Sequence, residues 1–150
     1  MDANSYKIVC DWIEHAEGGY VDNPQDPGGA TKYGISQTSF PNLDIANITI
    51  DDAMNIYNKQ YWQPLQLDNY PLPISLFLFD TAVLQGVGKA VELINRVNID
   101  VNDVKGTILK LIPMRLWVLA LVSDYGTFGR GWTNRIADLI NVINENLKEG

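Results

Sequence analysis

Residues 17–35 read EGGYVDNPQDPGGATKYGI, and their composition breaks sharply from what precedes them. Upstream, Ile8, Val9, Trp12, Ile13 and Ala16 recur at helical spacing and mark one apolar face. A helix starting near Asn4 or Ser5, both good N-caps, runs to a stop at Gly18-Gly19. Inside the stretch, Asp22-Asn23-Pro24 and Asp26-Pro27-Gly28-Gly29 are turn sequences. Short β-prone pieces flank them at Tyr20-Val21 and from Thr31 to Ile35. The pattern predicts one helix followed by a small, irregular β-hairpin.

The remainder reads as helical. Thr49 with Asp52 three residues later has the form of a capping box, opening a helix through Ala53, Ile56, Tyr57 and Tyr61. Two helices, Leu76 to Gln85 and Ala90 to Val97, flank Gly86-Val87-Gly88. Pro113 is placed at the start of a longer helix through Trp117 and Leu121 to Tyr125. Ile136, Leu139, Ile140, Ile143 and Leu147 form the stripe of a last helix. The Pro-rich stretch 64–73 is the expected hinge between an early part, 1–70, and a later all-helical part, 71–150, of one domain.

The 150 residues, 46% of them apolar, give room for one real core and exclude collagen, coiled coil and disorder. Lys110, Pro113 and Arg115 interrupt the richest apolar stretch, so no bilayer span is expected. One cysteine, Cys10, excludes an internal disulfide, and one histidine, His15, leaves no His/Cys cluster for zinc. No metal or organic cofactor is expected. Residues 1–75 carry ten carboxylates against three lysines, whereas all four arginines lie later. A net charge of −7 argues against nucleic acid, whose binding depends on neutralising phosphates.

Glu17 is the first chemical candidate. It occupies the last helical turn, where the negative end of the helix dipole disfavours an anion. Partial burial beside Trp12 or Ile13 pushes the same way, toward the protonated carboxyl that a general acid needs. An ordinary solvated glutamate is the plain alternative. Asp26 lies in a turn followed by two glycines that let backbone approach a ligand closely. Thr31 follows on a strand-like piece whose hydroxyl can face it. A carboxylate and a hydroxyl can hold one water opposite an acid, as in inverting glycoside hydrolases, whose carboxyls stand about 6.5–9.5 Å apart. A turn-forming role is the simpler account of Asp26 taken alone. Tyr20, Tyr33, Tyr61 and Trp62 are the aromatic rings best placed to stack on sugars, with core or hinge packing the equal alternative for each. Trp12, Trp117 and Trp132 read as core. Asp80 and Arg135 can contact substrate, but a buried or half-buried ion pair linking helices is the simpler account of each, and Cys10 reads as a small packed hydrophobe.

Taken together, Glu17-Gly18-Gly19-Tyr20 and Asp26 through Ile35 resemble the signature of glycoside hydrolase family 108, a family of N-acetylmuramidases that includes many phage endolysins. Ala53, Ile56-Tyr57 and Tyr61-Trp62 continue the resemblance. Phe79-Asp80, Ala82-Val83, Gly86 and Gly131-Trp132-Thr133-Asn134-Arg135 resemble the companion region called a predicted peptidoglycan-binding domain. Two departures fall in the later half: Ile99-Asp100-Val101-Asn102 lacks the glycine of an Asp-Gly motif, and Gln85 stands where a smaller polar residue is usual.

The resemblance implies an α+β, mostly helical, lysozyme-like fold with one small β-hairpin beside the active-site cleft. It implies hydrolysis of the β-1,4 bond between N-acetylmuramic acid and N-acetylglucosamine in peptidoglycan glycan strands by a cell-wall lysin. Glu17 matches its catalytic glutamate, Asp26 and Thr31 match the Asp and Thr of its hairpin motif, and the spacing of the three is similar to the Glu, Asp, Thr catalytic order of phage-type lysozymes. A lytic transglycosylase and a non-catalytic wall-binding or virion module are the rival readings. The first five residues show no basic segment leading into an apolar one. The expectation is therefore a monomer made in the cytoplasm that reaches the wall through a holin, an exporter or a virion.

Overall fold

Asp2 opens the first helix, α1 (Ala3–Glu17), where its carboxylate accepts from the Ser5 amide and the Ser5 hydroxyl, each at 2.9 Å. The cap thus lies upstream of the predicted Asn4 or Ser5. An ionised carboxylate at the positive helix end is the stronger acceptor, and Ser5 serves as its donor. The computed structural model describes residues 1–23, 28–122 and 125–147, and it divides into two compact units, Met1–Gln60 and Tyr61–Gly150.

In the first unit α1 buries Val9, Cys10, Trp12 and Ile13, and α2 (Ile50–Tyr57) buries Ala53, Met54 and Tyr57. Full burial of each large side chain is worth about 1.5–3 kcal/mol before chain entropy is charged against it. The Tyr6 hydroxyl ties the two helices by donating to Asp51 at 2.8 Å. Burial and that carboxylate hold the phenol well above its ordinary value. Cys10 packs beside Tyr6, its thiol pushed up by burial, as expected of a small hydrophobe.

The predicted capping box starts α2. Thr49 Oγ1 accepts from the Asp52 amide at 3.1 Å, and the Asp52 carboxylate accepts from the Thr49 amide at 2.8 Å. Thr49→Ala should therefore cost about 1 kcal/mol of stability in urea unfolding, with the slope of the transition unchanged. Beyond Tyr57 the helix widens into a π turn, Asn58–Trp62, instead of continuing regularly through Tyr61.

The hairpin is short. Strand β1 (Thr31–Lys32) pairs antiparallel with β2 (Ile35–Ser36), Thr31 opposite Ser36 and Lys32 opposite Ile35. Val21 bridges Thr31 from the other side. Lys32 Nζ donates to the Ala46 carbonyl at 3.0 Å, fastening the hairpin to a single 3-10 turn, Ile45–Asn47.

The second unit is helical: α3 (Leu72–Gln85), α4 (Val87–Arg96), α5 (Val104–Ala120) and α6 (Tyr125–Leu147). Ile74 through Ala82 are all buried, so α3 has no solvent face and packs against the other three. Gly86 alone, at φ 90, separates α3 from α4, where the sequence reads three residues. The division of the chain falls ahead of stretch 64–73, the expected hinge. That stretch is pinned within the second unit, because Leu65 and Leu67 are buried and Ser75 Oγ donates to the Leu67 carbonyl at 2.7 Å.

Pro113 does not open a helix as predicted; it sits inside α5. Asp103 starts that helix, its Oδ1 accepting from the Gly106 amide at 2.9 Å. The proline deprives the Leu109 carbonyl of its helical donor, and Leu109 is 62% exposed, where water can take that place. Two tryptophans also depart from their core assignment: Trp117 is 49% exposed, and Trp132 is half-buried against Tyr125 and Phe128. Trp12 is buried as expected.

Asp80 lies fully buried on α3 between two arginines. Arg115 Nη2 of α5 reaches its Oδ2 at 2.7 Å, and Arg135 Nε of α6 donates to its Oδ1 at 2.8 Å. Arg115 Nε also donates to Gln85 Oε1 at 3.0 Å. Burial pushes the Arg115 guanidinium below its ordinary value, and Asp80 opposes that shift. Asp80 and Arg135 each take part in a helix-linking ion pair, as expected, and the structure joins them to one another and to Arg115.

Candidate active site

Glu17 is the last residue of α1, half-buried, and Gly18 ends the helix at φ 77 with its amide donating to the Glu14 carbonyl at 3.1 Å. Glycine is required there because the chain must leave the helix through a left-handed backbone conformation. The released segment turns back along β1. Val21 and Thr31 exchange two backbone hydrogen bonds of 2.8 Å, and the Tyr33 amide donates to the Gly18 carbonyl at 3.2 Å. The helix end and the hairpin are thus laced together by main chain.

The two-residue turn between the strands is Tyr33-Gly34, with φ of 51 and 74. Positive φ at both central residues is the geometry that matches the right-handed twist of a hairpin. Glycine adopts it freely, but tyrosine does so only when its surroundings hold it. Two bonds hold Tyr33. Its amide goes to Gly18, and its carbonyl accepts from the Tyr57 hydroxyl at 2.9 Å.

The Glu17 side chain lies directly over Gly34. A methyl group built on Gly34 would stand 2.9 Å from Glu17 Oε2 and 3.1 Å from its Cγ, and it would collide with the Tyr57 hydroxyl. The carboxyl therefore rests on bare backbone, beside a buried phenol. Gly34→Ala should strain the turn and displace the carboxyl at once. The expected outcome is a loss of about 1–3 kcal/mol of stability together with a fall in hydrolysis larger than that loss explains, read by urea unfolding and glycan cleavage on the same preparation.

The other sequence candidates are distributed as follows. Thr31 is half-buried on β1, its hydroxyl donating to the Gly29 carbonyl at 3.4 Å. Asp26 lies outside the described residues. Tyr20 is 47% exposed just after the helix, and Tyr33 is half-buried with Lys32 Nζ 5.4 Å from its ring centroid. Tyr61, half-buried, and Trp62 belong to the second unit. Trp62 is only 4% exposed. Its indole donates to Asp68 Oδ1 at 3.1 Å and its ring meets Phe79 edge-on at 5.5 Å, which is core packing and leaves no open face for a sugar. That indole donation holds the Asp68 carboxyl below its usual range.

Tyr57 is the residue that sequence reasoning missed. Its spacing with Ala53 and Ile56 made it one more apolar position on a helix, and the ring is indeed 3% exposed. A buried tyrosine, however, needs a partner for its hydroxyl, and this one finds it at the turn over which Glu17 lies. Among the described residues no group of His, Cys, Asp and Glu is gathered to hold a metal ion, and no helix is long and apolar enough to cross a membrane.

Comparison with known proteins fits this geometry. The sequence profile described as Glycosyl hydrolase 108 matches residues 10–86, more than half of the chain, spanning Glu17, the hairpin and Tyr57. The solved structure titled "Structure of Brucella abortus SagA" is similar, at 27% identity and a TM-score of 0.71, covering 97% of this chain and 94% of that one. No curated protein matches.

Proposed function

Since this chain belongs to glycosyl hydrolase family 108, we propose that it is a peptidoglycan-degrading muramidase that cleaves the β-1,4 bond between N-acetylmuramic acid and N-acetylglucosamine, acting as a cell-wall lysin. Its α+β, mostly helical fold is lysozyme-like. The observation that carries the reading is the Glu17 carboxyl held against the Tyr33-Gly34 turn at the end of α1.

In this reading Glu17 gives its proton to the glycosidic oxygen as the C1–O bond breaks, and the departing sugar leaves with a hydroxyl. Asp26, assigned from its place in the sequence motif and assisted by Thr31, takes a proton from one water whose oxygen bonds to C1. One water is consumed for each bond cut. Tyr20 and Tyr33 supply ring faces for the sugar, and Trp62 is withdrawn from that set because it is buried. Synthesis in the cytoplasm and passage to the wall by a holin, an exporter or a virion complete the proposal.

Digestion of purified peptidoglycan with mass analysis of the fragments tests it. Muramic acid reducing ends are the expected product. Anhydro-muramic ends would instead mean a transglycosylase, in which the sugar's own hydroxyl replaces the water. No fragments at all would mean a non-catalytic wall module.

A further inference from the structure

Helices α1 and α2 are joined near their starts and again beyond their ends. Near the starts, the Tyr6 hydroxyl donates to Asp51 at 2.8 Å. At the far ends, both helices reach the same residue of the hairpin turn, Tyr33. The Gly18 carbonyl, one residue past α1, accepts from the Tyr33 amide at 3.2 Å. Tyr57, the last residue of α2, donates its hydroxyl to the Tyr33 carbonyl at 2.9 Å. All of these groups lie in the first unit.

Of the two ties to Tyr33, the second is made by a side chain. The Tyr57 ring is 3% exposed and shares its helix with buried Ala53 and Met54, so packing aims the hydroxyl. What it grips needs holding. Tyr33 stands at φ 51, a conformation that a residue other than glycine keeps only under constraint. The gripped carbonyl belongs to the peptide that joins Tyr33 to Gly34, and the Glu17 side chain lies over Gly34. A methyl carbon built on Gly34 would stand 2.9 Å from Glu17 Oε2 and nearer still to the Tyr57 hydroxyl. The phenol and the carboxyl therefore flank the same bare stretch of backbone. Rotation of the 33–34 peptide would move the floor beneath the acid, and the phenol opposes that rotation.

We propose that Tyr57 is a positioning residue for Glu17. Its hydroxyl locks the Tyr33-Gly34 peptide and so fixes where the acid presents its proton, while the buried ring stays clear of the sugar. The inference rests on the reading of Glu17 as the general acid. Proton delivery is sensitive to such placement, since a shift of about 1 Å can cost about 10²-fold in rate.

Tyr57→Phe tests it, because the buried ring is kept and the hydroxyl alone is removed. The readout is reducing-end release from soluble peptidoglycan glycan strands, expressed per folded molecule from urea unfolding of the same preparation. The turnover number kcat should fall about ten- to a hundredfold, with KM changed by less than about twofold. A second comparison separates positioning from general loosening. In protein that already carries Glu17→Gln, the same substitution should lower the remaining rate by less than about twofold, because no proton is left to place. An unchanged kcat for Tyr57→Phe overturns the proposal. An equal loss in both backgrounds also overturns it, since the hydroxyl would then support the fold at large. A loss confined to KM does the same, by placing the effect on the Tyr33 ring. Failure of the muramidase reading shows separately, as absence of reducing ends when the unsubstituted protein acts on the same strands.

Discussion

Glu17→Gln is expected to lower peptidoglycan hydrolysis about 10²–10⁴-fold, the usual worth of a positioned general acid, while the protein unfolds at an unchanged urea concentration. The amide has nearly the shape of the acid, so the packing over Gly34 survives the exchange. What it lacks is a proton that can be given to the glycosidic oxygen. Without that proton the departing sugar must leave as an alkoxide, and the acid lets it leave as a neutral alcohol instead. Release of reducing ends from purified peptidoglycan is the proper readout, because turbidity loss also reports physical disruption of cells. Hydrolysis within threefold of the parent would end the assignment of Glu17.

The second large effect is on stability. Asp80→Ala should destabilise the protein by about 3–5 kcal/mol, the usual cost of leaving a buried charge without its partner. Asp80 is the carboxylate that Arg115 and Arg135 share, and Arg115 is fully buried. Water cannot reach its guanidinium when the carboxylate is gone. Domains of this size are stable by only about 5–15 kcal/mol, so the loss should show as a large drop in the urea midpoint. An exposed pair such as Lys7 with Asp11, one helical turn apart, is worth less than about 1 kcal/mol by comparison. A change below 1 kcal/mol for Asp80→Ala would mean that the three helices are held by their apolar contacts alone.

Much of the framework was legible because short-range chemistry governs it. The glycine stop after Glu17, the Thr49–Asp52 box and the two-strand hairpin each depend on residues within a few positions of one another. The misplacements have long-range or competitive causes. Asp2 captured the α1 cap because a carboxylate outcompetes Asn4 and Ser5. Pro113 entered α5 because the carbonyl it orphans belongs to a residue facing solvent. Tyr57 and Arg115 were hidden for a shared reason. Each occupies an apolar stripe, and only the fold reveals that its polar end meets a partner 24 or 30 residues away. Arg115 did leave a trace, a cation four residues after Leu111 and three before Val118 on an otherwise apolar face. Trp117 erred in the opposite direction, since composition alone makes any tryptophan look internal.

The Tyr33-Gly34 turn has a consequence for how such a protein can diversify. The Glu17 carboxyl packs over Gly34, where any side chain would displace it. Loop positions whose side chains avoid that contact can therefore be exchanged while the Glu17 carboxyl keeps its address. Tolerance to substitution should collapse at Gly34, the glycine whose missing side chain makes the room.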